Sequence, residues 1–310
     1  MSRRYLEIFA ALFLVTGLAS WAWYCIPSDH RVFSQQQFAE SQTLFSASSS
    51  VPPVSELSRF TLENNSLRVN PGESLVFQRS QLGDMLHGRC QTVSPNGALA
   101  QFIAHHGDQQ IVLGQWQSNP ALHAIDTEPF YFLINLRELS ADVDRISLAV
   151  AANSPGAVDW RQLAGASAQD RGVPPLLPFP FIFFCGYAPP SWENRGLYLH
   201  APAQFILNVP QGRYSLKFGF GYNPLVFARP DNYTDGAGFR VSLITAEGGS
   251  DLLNQQLQPM ADTSHRQTQI AELMFATTSP ASLSFEVDAG PRGGLSFDWL
   301  VWQDFQLFQP

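Results

Sequence analysis

The chain has 310 residues, of which 45% are hydrophobic and only 14% charged, so it is long enough for two ordinary cores and too apolar to be mostly disordered. The formal net charge is −8, and the 18 cations, which include a single lysine (Lys217), are scattered except for the pair Arg3–Arg4. The sequence therefore lacks the basic patch of a nucleic-acid-binding protein.

The first predicted element is a membrane-spanning helix. Residues 8–26 carry no charge, and at ~1.5 Å per residue a helix of this length is ~28 Å long, close to the hydrocarbon thickness of a bilayer. Arg3 and Arg4 precede it, and Trp21 and Trp23 lie near its other end, which favours a cytoplasmic N-terminus. We expect a single-pass signal anchor over residues 1–27, with the bulk of the chain periplasmic or extracellular. A cleaved signal peptide is the alternative, although bulky residues occupy the cleavage region.

Residues 28–57 are rich in Ser and Gln, a composition typical of flexible linkers. We expect them to form a tether between the membrane and the folded part of the chain.

An internal repeat organises the remainder. Four landmarks recur 139 residues later in the sequence: Pro71 as Pro210, Asn96–Ala98 as Asp235–Ala237, Pro120 as Pro259, and Asp159–Trp160 as Asp298–Trp299. Such self-similarity indicates a duplicated structural unit. We place the units at residues 58–165 and 195–310, with an interdomain segment at 166–194.

Each unit has the pattern of short β-strands. Tyr214, Leu216, Phe218 and Phe220 alternate with smaller or polar residues, as a strand with one buried face requires. Residues 239–243 and 283–287 have the same period of two, with Gly-containing turns between. The expected fold class is all-β, with two tandem antiparallel jelly-roll-like β-sandwiches after the N-terminal transmembrane helix.

Four motifs of the second unit carry a family resemblance: Pro210-x-Gly212, Thr234–Phe239, Leu257-x-Pro259 with Arg266, and Gly290–Pro291 leading to Asp298-Trp299-x-x-Trp302. Over residues 195–309 the chain resembles lectin-like, galactose-binding-like jelly rolls, including carbohydrate-binding modules and sandwiches associated with bacterial membrane glycosyltransferases. The first unit matches more weakly, with Asn96 for the Asp, His123 in place of Asp262 and no counterpart of Trp302. The resemblance implies a jelly roll and glycan binding.

The loop from Arg229 to Asp235 contains the residue types that a glycan site uses. It brings an aromatic ring together with guanidinium, amide and carboxylate groups; the candidate ligand-binding residues are Arg229, Asp231, Asn232, Tyr233 and Asp235. Asp231, Asn232 and Asp235 are also candidate ligands of a structural Ca²⁺ ion, and no other cofactor is expected. The third interpretation is that Asp235–Gly236 forms only a turn.

Two tryptophans complete the candidate binding residues. Trp192 lies in a Pro-bounded loop beside Glu193 and Arg195. Trp299 and Trp302 are three residues apart on a predicted strand, so they should point to opposite faces; one must be core, and Trp302 is kept as a candidate ligand contact.

The cysteines and the missing motifs bear on chemistry. Cys90 and Cys185 are candidates for a disulfide in an oxidising compartment, with two separate buried thiols as the alternative. The sequence has no nucleophile elbow, zinc-protease motif or phosphate-binding loop. We therefore expect no enzymatic activity, although two carboxylates that meet in one cleft would reopen that question.

Residues 173–190 contain six prolines among Phe, Leu and Ile, a composition that must be covered in water. The segment either joins the two sandwiches or docks a partner. The preferred function is a membrane-anchored, non-catalytic glycan-binding protein. The alternative is a scaffold subunit that docks through residues 173–190 onto an envelope complex, such as a glycosyltransferase or an exporter.

Overall fold

A computed structural model describes residues 42–46, 56–58, 61–63, 66–92, 97–117, 130–166, 181–188, 190–193, 195–228, 234–245, 247–290 and 299–309. All of them belong to one compact unit, Val32–Pro310. The predicted anchor at residues 8–26 lies outside the described residues. Within them, no helix is both long and apolar enough to cross a membrane.

The described part of the chain is built from β-strands joined by turns. A first strand, β1 (Gln42–Ser46), and a short β2 (Glu56–Ser58) lie at the end of the predicted tether. Both pair with strands of the first repeat, so these parts of the tether belong to the sheets. The remaining strands of the first repeat are β3 (Thr61–Glu63), β4 (Ser66–Val69), β5 (Ser74–Gln78), β6 (Met85–Thr92), β7 (Leu99–His106), β8 (Gln109–Gln117), β9 (Phe130–Asn135), β10 (Arg145–Val150) and β11 (Val158–Ala166).

A second series of ten strands follows. Its strands are β12 (Phe181–Gly186), β13 (Ser191–Glu193), β14 (Gly196–His200), β15 (Ala203–Val209), β16 (Gly212–Tyr222), β17 (Ala237–Thr245), β18 (Gly248–Leu257), β19 (Gln269–Thr277), β20 (Ala281–Asp288) and β21 (Trp299–Phe308). The second series begins inside residues 166–194, which the sequence analysis places between the domains.

The two series have the same topology. In the first, the strand orders are β3-β4-β11-β6-β9 and β2-β5-β10-β7-β8; in the second they are β13-β14-β21-β16-β19 and β12-β15-β20-β17-β18. Each strand of the first series therefore corresponds to the strand numbered ten higher. Counted over eight strands from β4, the orders 1-8-3-6 and 2-7-4-5 are those of a jelly roll. The predicted repeat and the predicted sandwich class are both confirmed.

One strand joins the two sandwiches. β12 is the first strand of the second series, and it pairs with β15 on one side and with β9 of the first series on the other. The two sheets therefore continue into each other as one 11-stranded sheet. Every residue of β12 is buried: Phe184 packs into the core of the second sandwich, and Phe183 and Cys185 pack into the core of the first.

The register corrects one landmark of the predicted repeat. Trp160 pairs with Leu67 and Cys90, while Trp302 pairs with Leu197 and Phe220. Trp302 is thus the structural counterpart of Trp160, and both rings are fully buried. The prediction that Trp302 has no counterpart was wrong, because the two repeats differ in length outside their central strands and the offset of 139 does not hold at β21.

Candidate functional site

The structure places Trp302 in the core of the second sandwich. Its ring lies 5.3 Å from the rings of Phe239 and Phe285 and 5.4 Å from that of Phe218, and none of its surface is exposed. The candidate role of Trp302 as a ligand contact was wrong. Trp299, on the opposite face of β21, is 39% exposed, as the spacing of three predicts.

The predicted binding loop is described only at its end. Arg229, Asp231, Asn232 and Tyr233 lie outside the described residues. Asp235 is half-buried and precedes Gly236, whose φ of +123° marks a turn. The buried Thr234 stabilises this turn, because its Oγ1 accepts the Gly236 N–H at 3.2 Å.

Two other candidates have partial outcomes. Trp192 lies on β13 opposite Leu197, and its side chain is outside the described part. No group of three or more metal-ligating side chains occurs among the described residues; of the Ca²⁺ candidates, only Asp235 is among them.

Cys90 and Cys185 are free thiols in the structure, and both are buried. Cys90 is opposite Phe130, and Cys185 is opposite Phe132, on the two sides of β9. Because a whole strand separates them, their Cα atoms are ~10 Å apart, too far for a disulfide. Burial raises the pKa of both thiols. The disulfide candidate is therefore not formed, and the alternative of two buried thiols describes the structure.

The described part of the apolar segment is not a surface. Residues 181–186 are β12, which is buried between β9 and β15. Residues 173–180 and Pro189 are outside the described ranges. A docking role for residues 181–186 is excluded, because a central strand buried on both faces offers nothing to a partner.

A pocket of about 310 Å³ lies where β12, β15, β17 and β20 meet β8 and β9. This volume is at the lower end of the ~300–1,000 Å³ range of small-molecule sites. The pocket floor is the outer face of the second sandwich's half of the shared sheet, and residues of β8 and β9 in the first sandwich also line it. We call it the junction pocket.

The floor of the junction pocket is one transverse row of side chains. Cys185, Gln204, Glu286 and Arg240 are direct neighbours on successive strands, so their side chains share one face. The apolar side chains of the same strands, among them Phe205, face the opposite core. Strict alternation along these strands thus places polar groups in the pocket.

Hydrogen bonds hold this row in place. Gln204 Nε2 donates to Ser284 Oγ at 2.9 Å and to Glu286 Oε1 at 3.2 Å. Ser284 Oγ donates to Glu286 Oε1 at 3.0 Å. Arg240 Nε donates to Glu286 Oε2 at 3.1 Å, and its Nη2 donates to the same oxygen. The pKa of Arg240 is raised, first by its hydrogen bond with Glu286. Glu286 is therefore an anchored acceptor at the centre of the floor.

A second carboxylate lines the pocket two residues beyond Glu286. Asp288 Oδ1 accepts the backbone N–H groups of Gly238 and Gly290, both at 2.8 Å. Its Oδ2 accepts from Gln256 Nε2 at 3.4 Å. These contacts bind Asp288 to the strand ends around it.

The aromatic wall comes from the first sandwich. The rings of Trp116 and Phe130 are paired at 4.1 Å between centroids and are almost fully buried. The half-buried Tyr187 continues this run, 6.4 Å from Phe130. A Cβ atom on Gly114 would lie only 2.7 Å from Cγ of Phe183, so the absence of a side chain at Gly114 lets β8 approach β12 and brings Trp116 to the pocket.

Two buried polar atoms of pocket-lining residues have no hydrogen-bond partner: Trp116 Nε1 and Gln204 Oε1. Buried polar groups are nearly always paired, because an unmade hydrogen bond costs about 1–3 kcal/mol. One donor and one acceptor at the same pocket therefore suit a ligand that both accepts and donates.

The first repeat lacks this polar row. By register, the counterparts of Gln204, Glu286 and Arg240 are Ser74, Ala149 and Gln101. Since the same jelly roll forms with these smaller or neutral residues, the charged row of the second repeat is not a requirement of the fold.

Sequence reasoning missed all of these residues, although part of the signal was present. Arg240 follows Gln101, and Asp251 follows Val112, by the offset of 139 that the repeat suggested. A comparison of aligned positions in search of charge gained by one repeat would have marked β17 and β18. Gln204 and Glu286 require offsets of 130 and 137, which only the register reveals.

No family model matches the chain, and no curated protein sequence matches it. Solved structures match weakly. CBM51 from Clostridium perfringens GH95, in complex with methyl-galactose, is 12% identical with a TM-score of 0.29, and the match covers 40% of this chain and 77% of that one. The CBM22-1–CBM22-2 tandem of Paenibacillus barcinonensis Xyn10C is 10% identical with a TM-score of 0.29, over 87% and 98%.

A third match is CBM51-2 with INT domains of Clostridium perfringens ZmpB, in complex with GlcNAc. It is 12% identical with a TM-score of 0.32, and the match covers 58% of this chain but only 37% of that one. These structural neighbours are carbohydrate-binding modules. Scores of this size carry no argument about a site, and the fold assignment rests on the strand order.

Proposed function

We propose that this chain binds glycan without catalysing a reaction, and that the junction pocket holds one or two sugar units. The observation that carries the proposal is the row Gln204–Glu286–Arg240, which the second repeat has and the first repeat lacks, beside the unpartnered Trp116 Nε1 and Gln204 Oε1.

The chemistry of the pocket suits sugar hydroxyl groups. Each hydroxyl donates one hydrogen bond and accepts others, so it can donate to Gln204 Oε1 or a carboxylate and accept from the guanidinium of Arg240 or the indole of Trp116. The aromatic wall offers apolar surface for the C–H groups of a ring. The neighbours that bind methyl-galactose and GlcNAc belong to the same ligand class, but the proposal does not depend on them.

The carboxylates argue for binding rather than hydrolysis. A glycosidase places its two carboxyl groups on either side of the scissile bond. Glu286 and Asp288 instead lie on one strand, two residues apart and on one face. Hydrogen bonds engage both oxygens of each, which leaves neither free to act as a nucleophile.

The finer parts of the proposal concern location. The uncharged residues 8–26 anchor the chain as a single-pass helix with its N-terminus in the cytoplasm, and the sandwiches present the pocket to periplasmic or extracellular glycan. Protease protection of the full chain in vesicles tests this: a cytoplasmic location of residues 42–309 would contradict it.

The decisive experiment uses the repeat as its own control. In the full chain, Gln204→Ser, Glu286→Ala and Arg240→Gln together install the residues of the first repeat. We expect binding to weaken at least tenfold, because several hydrogen bonds of about 1 kcal/mol each are lost. The fold should persist, because the first repeat tolerates this set.

The matched control is Glu272→Gln, an exposed carboxylate on β19 in the other sheet, which should leave binding unchanged. The protein is purified in a detergent without a sugar headgroup and screened on a glycan array, with calorimetry on the strongest responders. The proposal fails if the wild-type chain binds no glycan at millimolar concentration, or if the triple variant binds as well as wild type.

A further inference from the structure

The charged groups around the junction pocket are unequal in number. Arg240 is the single cation among the residues that line it, and Glu286 and Asp288 are two anions. A third carboxylate, Asp251, is held by Ser242 Oγ at 2.7 Å, and Ser242 lies two residues from Arg240 on β17. One cation and three carboxylates give a local charge of −2 among the described residues.

The single cation is already neutralised. Two nitrogens of Arg240 donate to the same oxygen of Glu286. Its pKa is raised by this hydrogen bond and further by the charges of Glu286, Asp251 and Asp288. An incoming carboxylate would have to compete with Glu286 for the guanidinium while meeting the fields of Asp288 and Asp251.

This charge also separates the two repeats. The counterparts of Arg240 and Asp251 in the first repeat are Gln101 and Val112, and that of Glu286 is Ala149. The first repeat therefore carries no charge at any of these three positions, whereas the second has gained two carboxylates and one guanidinium. The excess negative charge belongs to the face that lines the pocket.

From this charge distribution we infer that the junction pocket selects uncharged or amine-bearing sugars and rejects acidic ones, such as uronates and sialic acids. The inference rests on the proposed glycan binding and adds its ligand class. A net of two negative charges within ~7 Å of a sugar carboxylate in water-like dielectric corresponds to about tenfold weaker binding at low salt.

The test compares three matched probes: methyl galactoside, galacturonic acid and galactosamine, titrated calorimetrically into the full chain at pH 7 and low salt. We expect the neutral sugar and the amine to bind at least fivefold more tightly than the uronate. The difference should shrink in 0.5 M salt, because screening weakens exposed charge interactions.

Asp251→Asn provides the sharper variant, since Asp251 does not line the pocket. It should strengthen uronate binding by about two- to threefold and leave the neutral sugar unchanged. Asp142→Asn, an exposed carboxylate of the first repeat, is the control and should alter neither.

The outcomes separate the two proposals. Equal binding of all three sugars, or preference for the uronate, overturns the charge selection and leaves glycan binding standing. Unchanged discrimination in Asp251→Asn also counts against it. If no sugar of any charge binds, the proposed function itself fails, and the charge selection fails with it.

Discussion

Replacing Gly114 by Ala tests how the aromatic wall of the junction pocket is held. The added Cβ would lie 2.7 Å from Cγ of Phe183 and closer still to Cδ1 and Cε1. Carbon atoms in contact are ~3.5–4 Å apart, so the two strands must separate by roughly 1 Å. Phe183 cannot yield, because it is fully buried and its ring lies 4.7 Å from that of Phe102.

Overpacking of this kind costs about 1–3 kcal/mol, and the rigid neighbour places Gly114→Ala at the upper end, about 2–3 kcal/mol. We expect the thermal midpoint to fall by about 5–10 °C and the urea midpoint to fall with it. Glycan affinity should fall as well, because β8 carries Trp116 to the pocket. Gly249→Ala is the control: its nearest neighbour would be 3.9 Å away, and we expect a change within about 0.5 kcal/mol.

A double-mutant cycle identifies the cause. Phe183→Leu removes part of the ring that the new methyl group meets, so the double variant should be less destabilised than the sum of the single variants by about 1 kcal/mol or more. The reasoning is refuted if Gly114→Ala costs no more than Gly249→Ala, or if the two changes at Gly114 and Phe183 are additive.

Three further outcomes follow from buried groups. Trp302→Ala should cost about 3–5 kcal/mol by urea unfolding, whereas Trp299→Ala should cost under about 1 kcal/mol; similar costs would contradict the assignment of Trp302 to the core. Because Cys90 and Cys185 are free, adding a reductant should leave the thermal midpoint unchanged, and a drop of several degrees would reveal a disulfide. Burial lowers the pKa of His87 to about 4, so the unfolded chain takes up this proton first as pH falls. Stability should therefore decline by about 3 kcal/mol between pH 6.5 and 4, and a His87→Leu variant should lack this component; an equal decline in the variant would contradict it.

The sandwich class followed from the sequence because alternation is a local property. The period-two runs at 214–220, 239–243 and 283–287 fall in β16, β17 and β20. The repeat was also visible, since its central strands keep one offset: β7 and β8 lie 139 residues before β17 and β18.

The landmarks near the ends of the repeat failed for a physical reason. β4 begins 130 residues before β14, and the second repeat adds residues in the longer β16 and the turn at Pro224–Phe227. Trp160 was therefore matched to the exposed Trp299 instead of Trp302. An isolated Asp-Trp pair is a weak landmark, whereas the strand partners of the ring are specific.

The pocket could not be read from the sequence because it exists only in the register. Gln204, Arg240 and Glu286 are separated by 36 and 46 residues in the chain, and the Trp116 wall comes from the other repeat. The search for an exposed aromatic residue among loop residues led to Trp302, whose burial follows from its place on a central strand.

β12 makes the first sandwich dependent on residues made after it. A ribosome that has released residue 166 has supplied every strand of the first series, yet the edge of β9 stays open until residues 181–186 emerge. An open edge pairs readily with other chains. Products of premature termination between these points would therefore be prone to self-association through β9, and any boundary chosen for a shortened chain has to keep β12 with both of its neighbours.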